Sequence, residues 1–192
     1  MRVGLYDATH LVVRRLAHVL YRVEIDGAPL PAGPVVLAAN HASVLDPFFL
    51  PLVTRRPVQF LAKVELWRFR PVAAVMDAYG SVPVDRGRGD RDALARGAEV
   101  LRRGGILGVF PEGSVQGGAW QRGAAKLALV TGAPVVPVRL VGTGRALSRG
   151  RVGLPKIRIV VGEAIPVEQA KPTIAAAREL TERVRSAVDA LS

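Results

Sequence analysis

Val35-Val36-Leu37-Ala38-Ala39-Asn40-His41-Ala42-Ser43-Val44-Leu45-Asp46-Pro47 reads as a strand that ends in chemistry. The first five residues are an apolar run, and His41 follows it with Asp46 five positions on. On one continuous helix, side chains five residues apart point about 140° away from each other, so a turn must bring the two together. Asp46 before Pro47 predicts that turn. Aspartate is a favoured N-cap and proline suits the first helical position, so a helix starts here and runs through Phe48, Phe49 and Leu50. His41 then stands at a strand end and Asp46 at a helix start, where open α/β sheets place their chemistry. An imidazole oriented by a carboxylate is the arrangement of a general base.

Outward from this stretch, short apolar runs recur at residues 21–25, 58–62, 81–84, 106–110, 135–140 and 157–161. They alternate with helix-like stretches at 47–53, 90–103, 122–131 and 167–191. That alternation predicts an α/β fold with a mixed, largely parallel sheet flanked by helices. Gly104 and Gly105 end one helix, and Gly132 another. The segment 142–154, with Arg145, Arg149 and Arg151, is expected to be a mobile surface loop. No internal repeat or long linker divides the chain, and 192 residues suit a single domain over 1–192. Residues 1–22 read as a basic amphipathic helix: Leu5, Val12, Val13, Leu16, Val19 and Leu20 recur at helical spacing among Arg14, Arg15, His18 and Arg22.

Composition narrows the partners. Hydrophobic residues make up 49% of the chain, enough to argue against disorder despite 20 Gly and 14 Pro. The 27 Lys and Arg exceed the 16 Asp and Glu for a formal net charge of +11, which predicts attraction to an anionic partner. Aromatic residues amount to only 5% and no nucleic-acid motif occurs, so nucleic acid is not expected. The absence of cysteine excludes disulfides, thiolate metal sites and a cysteine nucleophile. Arg2, Asp7, Arg14 and Arg15 interrupt the first 20 residues, so no signal peptide is expected there. No apolar run approaches the roughly 18 residues a membrane span requires. Membrane contact is therefore expected to be interfacial, through the N-terminal helix on an anionic surface.

Three further segments close predicted strands: Lys63 after 59–62, Asp85 and Arg86 after 80–84, and Phe110-Pro111-Glu112-Gly113-Ser114 after 106–109. In a parallel sheet these ends meet on the rim that carries His41. The rim gathers a base, an orienting carboxylate, two cations, a second carboxylate and glycine-exposed backbone, a set able to hold a phosphorylated alcohol against the imidazole.

The chain resembles the lysophosphatidic acid acyltransferases, the 1-acylglycerol-3-phosphate acyltransferases, within the wider glycerophospholipid acyltransferases. The resemblance rests on NHASVLD at 40–46, FLAKVEL at 60–66, GSVPVDR at 80–86, FPEGS at 110–114, RGAAKLAL at 122–129 and APVVPV at 133–138, in the family's order across residues 35–141. It implies a glycerol-3-phosphate acyltransferase-like fold. It implies acyl transfer from acyl-CoA or acyl carrier protein, as co-substrate, to the free hydroxyl of a lysophospholipid, with no cofactor or metal. By the same resemblance His41 is the base and Asp46 its orienting acid. Lys63 and Arg86 match the residues that bind the acceptor phosphate, and Glu112 the carboxylate that shapes the glycerol site. Asn40, Ser43, Gly113, Ser114 and Arg122 complete the expected substrate-binding set, with backbone N–H groups near Gly113 as candidate oxyanion donors. The implied location is cytoplasmic, on the inner face of the cell membrane. The chain departs from the family where Val115 and Gln121 replace the usual cations.

Two other functions fit parts of the pattern. A thioesterase or lipid hydrolase would use the same His41 and Asp46 on water. A basic binding module for membrane or nucleic acid would use the charge alone. Ser114 is not a serine nucleophile, since no G-x-S-x-G elbow surrounds it. His10 and His18 are assigned to the surface or packing of the first helix.

Overall fold

Strand β2 (Val35–Ala39) is buried at all five residues and organises the molecule. The computed structural model describes residues 3–84, 90–115, 118–148 and 151–191. Side chains alternate across a strand, so Val35, Leu37 and Ala39 enter one apolar cluster with Phe49, Leu50, Phe60 and Ile159. Val36 and Ala38 enter a second with Leu101, Leu107, Ala128 and Leu180. Burial on both faces is why the run carries no polar residue.

The remaining strands are β1 (Glu24–Gly27), β3 (Val58–Lys63), β4 (Val82–Val84), β5 (Ile106–Val109), β6 (Val135–Val141), β7 (Leu147–Ser148), β8 (Arg151–Val152) and β9 (Arg158–Val161). Seven of them form one sheet in the order β1-β9-β6-β2-β5-β3-β4, and β7 pairs with β8 apart from it. Within the sheet, β9 runs antiparallel to β6 and the other pairings are parallel. The helices are α1 (Val3–Tyr21), α2 (Asp46–Phe49), α3 (Arg70–Ala78), α4 (Asp90–Arg102), α5 (Gly123–Thr131), α6 (Thr143–Ala146) and α7 (Ile174–Ala190). Residues of α4, α5 and α7 cover the second cluster, while Ala17 of α1 and a 3₁₀ turn at Leu50–Val53 cover the first. The single α/β domain with its mixed, largely parallel sheet is the architecture the alternation predicts.

Several boundaries differ from the expectation. The helix from Asp46 is one turn long and tightens into the 3₁₀ turn. Pro51 has no N–H to continue the α-helical ladder. The last helix starts at Ile174 rather than at 167. Ile165 is bridged to Val135, Pro172 biases Lys171 away from helix, and the Thr173 hydroxyl caps the helix by accepting from the Ala176 N–H at 3.2 Å. The described residues of the segment 142–154, which do not include Arg149, are not a loop throughout: they form α6 and the paired strands β7 and β8, with Thr143 and Ala146 fully buried. Gly132 ends α5 as expected, at φ 71° with its N–H on the Ala128 carbonyl.

Helix α1 turns Tyr6, His10 and Ala17 inward and leaves Leu11, Val12, Leu16, Val19 and Leu20 exposed. The Tyr6 ring meets His10 in a stack and Tyr79 edge-on, each at 5.3 Å between centroids. Its hydroxyl donates to the Arg56 carbonyl at 3.1 Å. Burial pushes the Tyr6 pKa up to about 12 and holds that of His10 below 6.5, in the latter case reinforced by Arg14.

Candidate active site

The end of β2 is locked before it turns. Asn40 donates through Nδ2 to the Leu140 carbonyl at 3.0 Å, and the Leu140 N–H donates to Asn40 Oδ1 at 2.7 Å. The amide thus continues the β2–β6 ladder with a side chain. Beyond it, His41 Nδ1 lies 2.8 Å from Asp46 Oδ2. The same oxygen accepts the N–H groups of Ala42 at 2.7 Å and Ser43 at 2.8 Å. Asp46 is fully buried, whereas the His41 side chain keeps 15% exposure.

This overturns one expectation. Asp46 is the first residue of α2, not its cap; Leu45 occupies the N-cap position and makes no side-chain cap. The carboxylate reaches back to the N–H groups before the helix instead of forward into it. A carboxylate held by two backbone donors and an imidazole is an acceptor at each contact, so the neutral ring keeps its proton on Nδ1. Nε2 is then the free proton acceptor. The dyad can serve as a base toward a group presented from solvent.

The end of β5 supplies the opposite wall. Phe110 stacks on the His41 ring at 4.3 Å between centroids and 19° between planes. Glu112 Oε1 accepts the His41 backbone N–H at 3.2 Å. Gly113 sits at φ 72° and donates its N–H to the Phe110 carbonyl at 3.0 Å, closing a turn that favours glycine. The Gln121 N–H donates to the Pro111 carbonyl at 2.8 Å, which brings Arg122, exposed at the start of α5, beside this turn.

The structure therefore sorts the expected site residues. His41, Asp46 and Glu112 converge; Gly113, Ser114 and Arg122 lie on the adjoining segments. Asn40 and Ser43 do not present polar groups to a substrate. The Asn40 amide is committed to Leu140, and the buried Ser43 hydroxyl accepts the Leu45 N–H at 3.2 Å. The Gly113 N–H is likewise spent within its own turn and is not an oxyanion donor. Lys63 ends β3 beside Val84 of β4. Its side chain, and Asp85 and Arg86 altogether, lie outside the described residues. The stacking role of Phe110 was not foreseen, although its place directly after a predicted strand was visible in the sequence.

A cavity of about 470 Å³ at the other end of the sheet is lined by Arg56, Gln59, Arg96, Arg103 and Ile106, among others. It is remote from this chemistry, because Gln59 and Ile106 lie at the starts of β3 and β5. Its arginines are already engaged: Arg56 on the Pro31 and Gly104 carbonyls, Arg96 on Asp92 and Arg103 on Glu99.

A family model described as Acyltransferase matches residues 22–141, more than half of the chain. The chain belongs to the acyltransferase family. It is 32% identical over 157 residues to the chloroplastic 1-acyl-sn-glycerol-3-phosphate acyltransferase LPAT1 of Arabidopsis thaliana, a match covering 76% of this chain and 44% of that protein. It is 31% identical over 150 residues to the lyso-ornithine lipid O-acyltransferase of Pseudomonas aeruginosa, covering 75% of this chain and 54% of that one. The chain thus spans about half the length of these relatives. The crystal structure of the 1-acyl-sn-glycerophosphate (LPA) acyltransferase PlsC from Thermotoga maritima superposes with a TM-score of 0.77. That match covers 96% of this chain and 78% of the Thermotoga chain at 24% identity, and the two share a fold.

Proposed function

We propose that the protein is an O-acyltransferase that moves a fatty acyl group from acyl-CoA or acyl carrier protein to the free hydroxyl of 1-acyl-sn-glycerol-3-phosphate or a related lysophospholipid. The observation that carries the reading is the 2.8 Å contact of His41 with an Asp46 carboxylate fixed by the Ala42 and Ser43 N–H groups. Nε2 of His41 removes the hydroxyl proton as the oxygen attacks the thioester carbonyl. The tetrahedral intermediate collapses with cleavage of the C–S bond, and the imidazolium returns the proton to the departing thiolate. The products are a diacylated lipid, phosphatidic acid for the first acceptor, and a free thiol. No acyl-enzyme is needed. A positioned base supplies about 10²- to 10⁴-fold, and holding both substrates together supplies more.

The acceptor is narrowed by what the chain lacks. Val115 and Gln121 flank the site where the wider family often carries cations, and one relative is named for a lyso-ornithine lipid. Both observations favour a second reading in which the acceptor is a lysolipid other than lysophosphatidate, with Arg122 as a cation beside the 110–114 turn. The outward apolar face of α1 and the net charge of +11 support docking on an anionic membrane, at its inner face. No helix of the described residues is long and apolar enough to cross a membrane.

A matrix of acyl-CoA and acyl carrier protein donors against lysolipid acceptors, read by mass spectrometry, tests the reading. The native protein yields acylated lipid, and His41→Ala retains its unfolding midpoint while transfer falls by about 10²- to 10⁴-fold. Undiminished transfer by His41→Ala excludes the base. Thiol release that is equal with and without acceptor, and gives no new lipid, establishes a hydrolase instead.

A further inference from the structure

We infer that Phe110 is a positioning residue for the proposed base, holding the plane of the His41 imidazole from one face. The inference rests on His41 acting as proposed above. A hydrogen bond at Nδ1 fixes one point of the ring and leaves its tilt free about that contact. The Phe110 ring removes that freedom, lying 4.3 Å from the imidazole centroid and within 19° of its plane.

Phe110 is itself backed. Phe60, 5% exposed on β3, lies parallel to it at 2° with centroids 5.9 Å apart. The room for Phe60 comes from Gly108: a Cβ there would stand 2.3 Å from Phe60 Cε1. Gly108 pairs with Phe60 across the β5–β3 ladder, and Phe110 follows it by two residues, on the same face by strand periodicity. Three rings, Phe60, Phe110 and His41, are thereby stacked in series from the sheet to the base. In the same segment, Glu112 holds the His41 N–H at 3.2 Å. Residues 108–112 provide the slot, the wall and the tether for the base.

An aromatic face also suits both charge states that His41 passes through. It stacks on the neutral ring before proton transfer and attracts the imidazolium after it. The base then keeps its aim through the catalytic cycle, and an aliphatic side chain of similar bulk would not do this.

The test combines turnover with a spectroscopic signature in the full chain. The His41 ring protons are assigned by comparing proton spectra of the native protein and His41→Ala, since the chain has three histidines. In the native protein they resonate upfield of free imidazole because of the Phe110 ring current, and Phe110→Tyr preserves this. In Phe110→Leu the upfield displacement disappears. That variant loses about 10- to 100-fold in kcat, the scale of a small misplacement of a reacting group, with KM within about twofold. Phe110→Tyr restores kcat to within about threefold of native. The inference is overturned if Phe110→Leu keeps kcat within twofold, or if it loses kcat while the His41 resonances stay in place. It is overturned equally if the native ring protons, assigned with His41→Ala, show no upfield displacement, a result that does not depend on either Phe110 variant folding. A native protein that transfers no acyl group in this assay refutes the function, and the ring-proton shifts still report on the geometry.

Discussion

Replacing Asn40 by alanine separates two roles that its place beside His41 invites. The amide makes two hydrogen bonds to the backbone of Leu140, a buried residue, and truncation leaves both of those groups without a partner. The expected loss is about 1–3 kcal/mol of stability by chemical denaturation, with KM for the acceptor nearly unchanged. A substrate-binding role would give the reverse pattern, a raised KM at unaltered stability. The contrast shows what was legible at this scale. His41 and Asp46 could be singled out because few structural duties require an imidazole at a strand end with an acid a turn away. Asn40 and Ser43 could not be sorted, because an amide or a hydroxyl serves a ligand and a backbone equally well. For Asn40 the arrival of β6 alongside β2 decides between them, a pairing of residues 100 apart in sequence, while Ser43 is decided by the turn that brings the Leu45 N–H to its hydroxyl.

Helix α1 is held through its Tyr6 and His10 side against Tyr79, just beyond α3, and this contact makes its attachment sensitive to pH. The His10 pKa is lowered from 6.5 on folding, so the unfolded chain takes up the proton more readily. The stability this group contributes is present above pH 6.5 and is lost as the pH falls through the lower, folded value. The Tyr6 pKa is raised from 10.0 to about 12, so its contribution is full below pH 10 and is lost as the pH rises toward 12. Thermal unfolding followed by circular dichroism is expected to plateau between those limits and to fall on both sides. His10→Phe flattens the acid limb while leaving the alkaline limb; an unaltered acid limb would show that other groups govern it. At this scale, the cores of α1, α4, α5 and α7 were readable from apolar spacing and the C-terminal glycines, whereas the short α3 was not singled out. Two boundaries were missed as well, because Pro172 with Thr173 delayed the start of the last helix and Pro51 cut the helix from Asp46 to one turn.

For the molecule as a whole, charge and apolar surface act together. The formal charge of +11 coexists with exposed Leu11, Val12, Leu16, Val19 and Leu20 on α1 and with exposed Val44 in the loop between His41 and Asp46. Co-sedimentation with vesicles should therefore depend on anionic lipid and weaken by tenfold or more between about 0.1 and 0.5 M salt, as screening shortens. Val12→Asp with Val19→Asp should weaken it further at every salt concentration. Binding indifferent to both salt and lipid charge would remove the electrostatic component. The α/β class was legible from the alternation of runs, because each strand and helix announces itself locally. The strand order was not, since β2 is flanked by β5 and β6 and the antiparallel β9 closes on β6, choices made by distant segments. The Asp46 anchorage has one more consequence. The two N–H donors that grip its carboxylate belong to the peptide groups of Ala42 and Ser43, which every residue but proline carries, so the grip is indifferent to the side chain that stands at the exposed Val44. The aim of the base proposed above is then insulated from changes at the solvent-facing tip of its own loop.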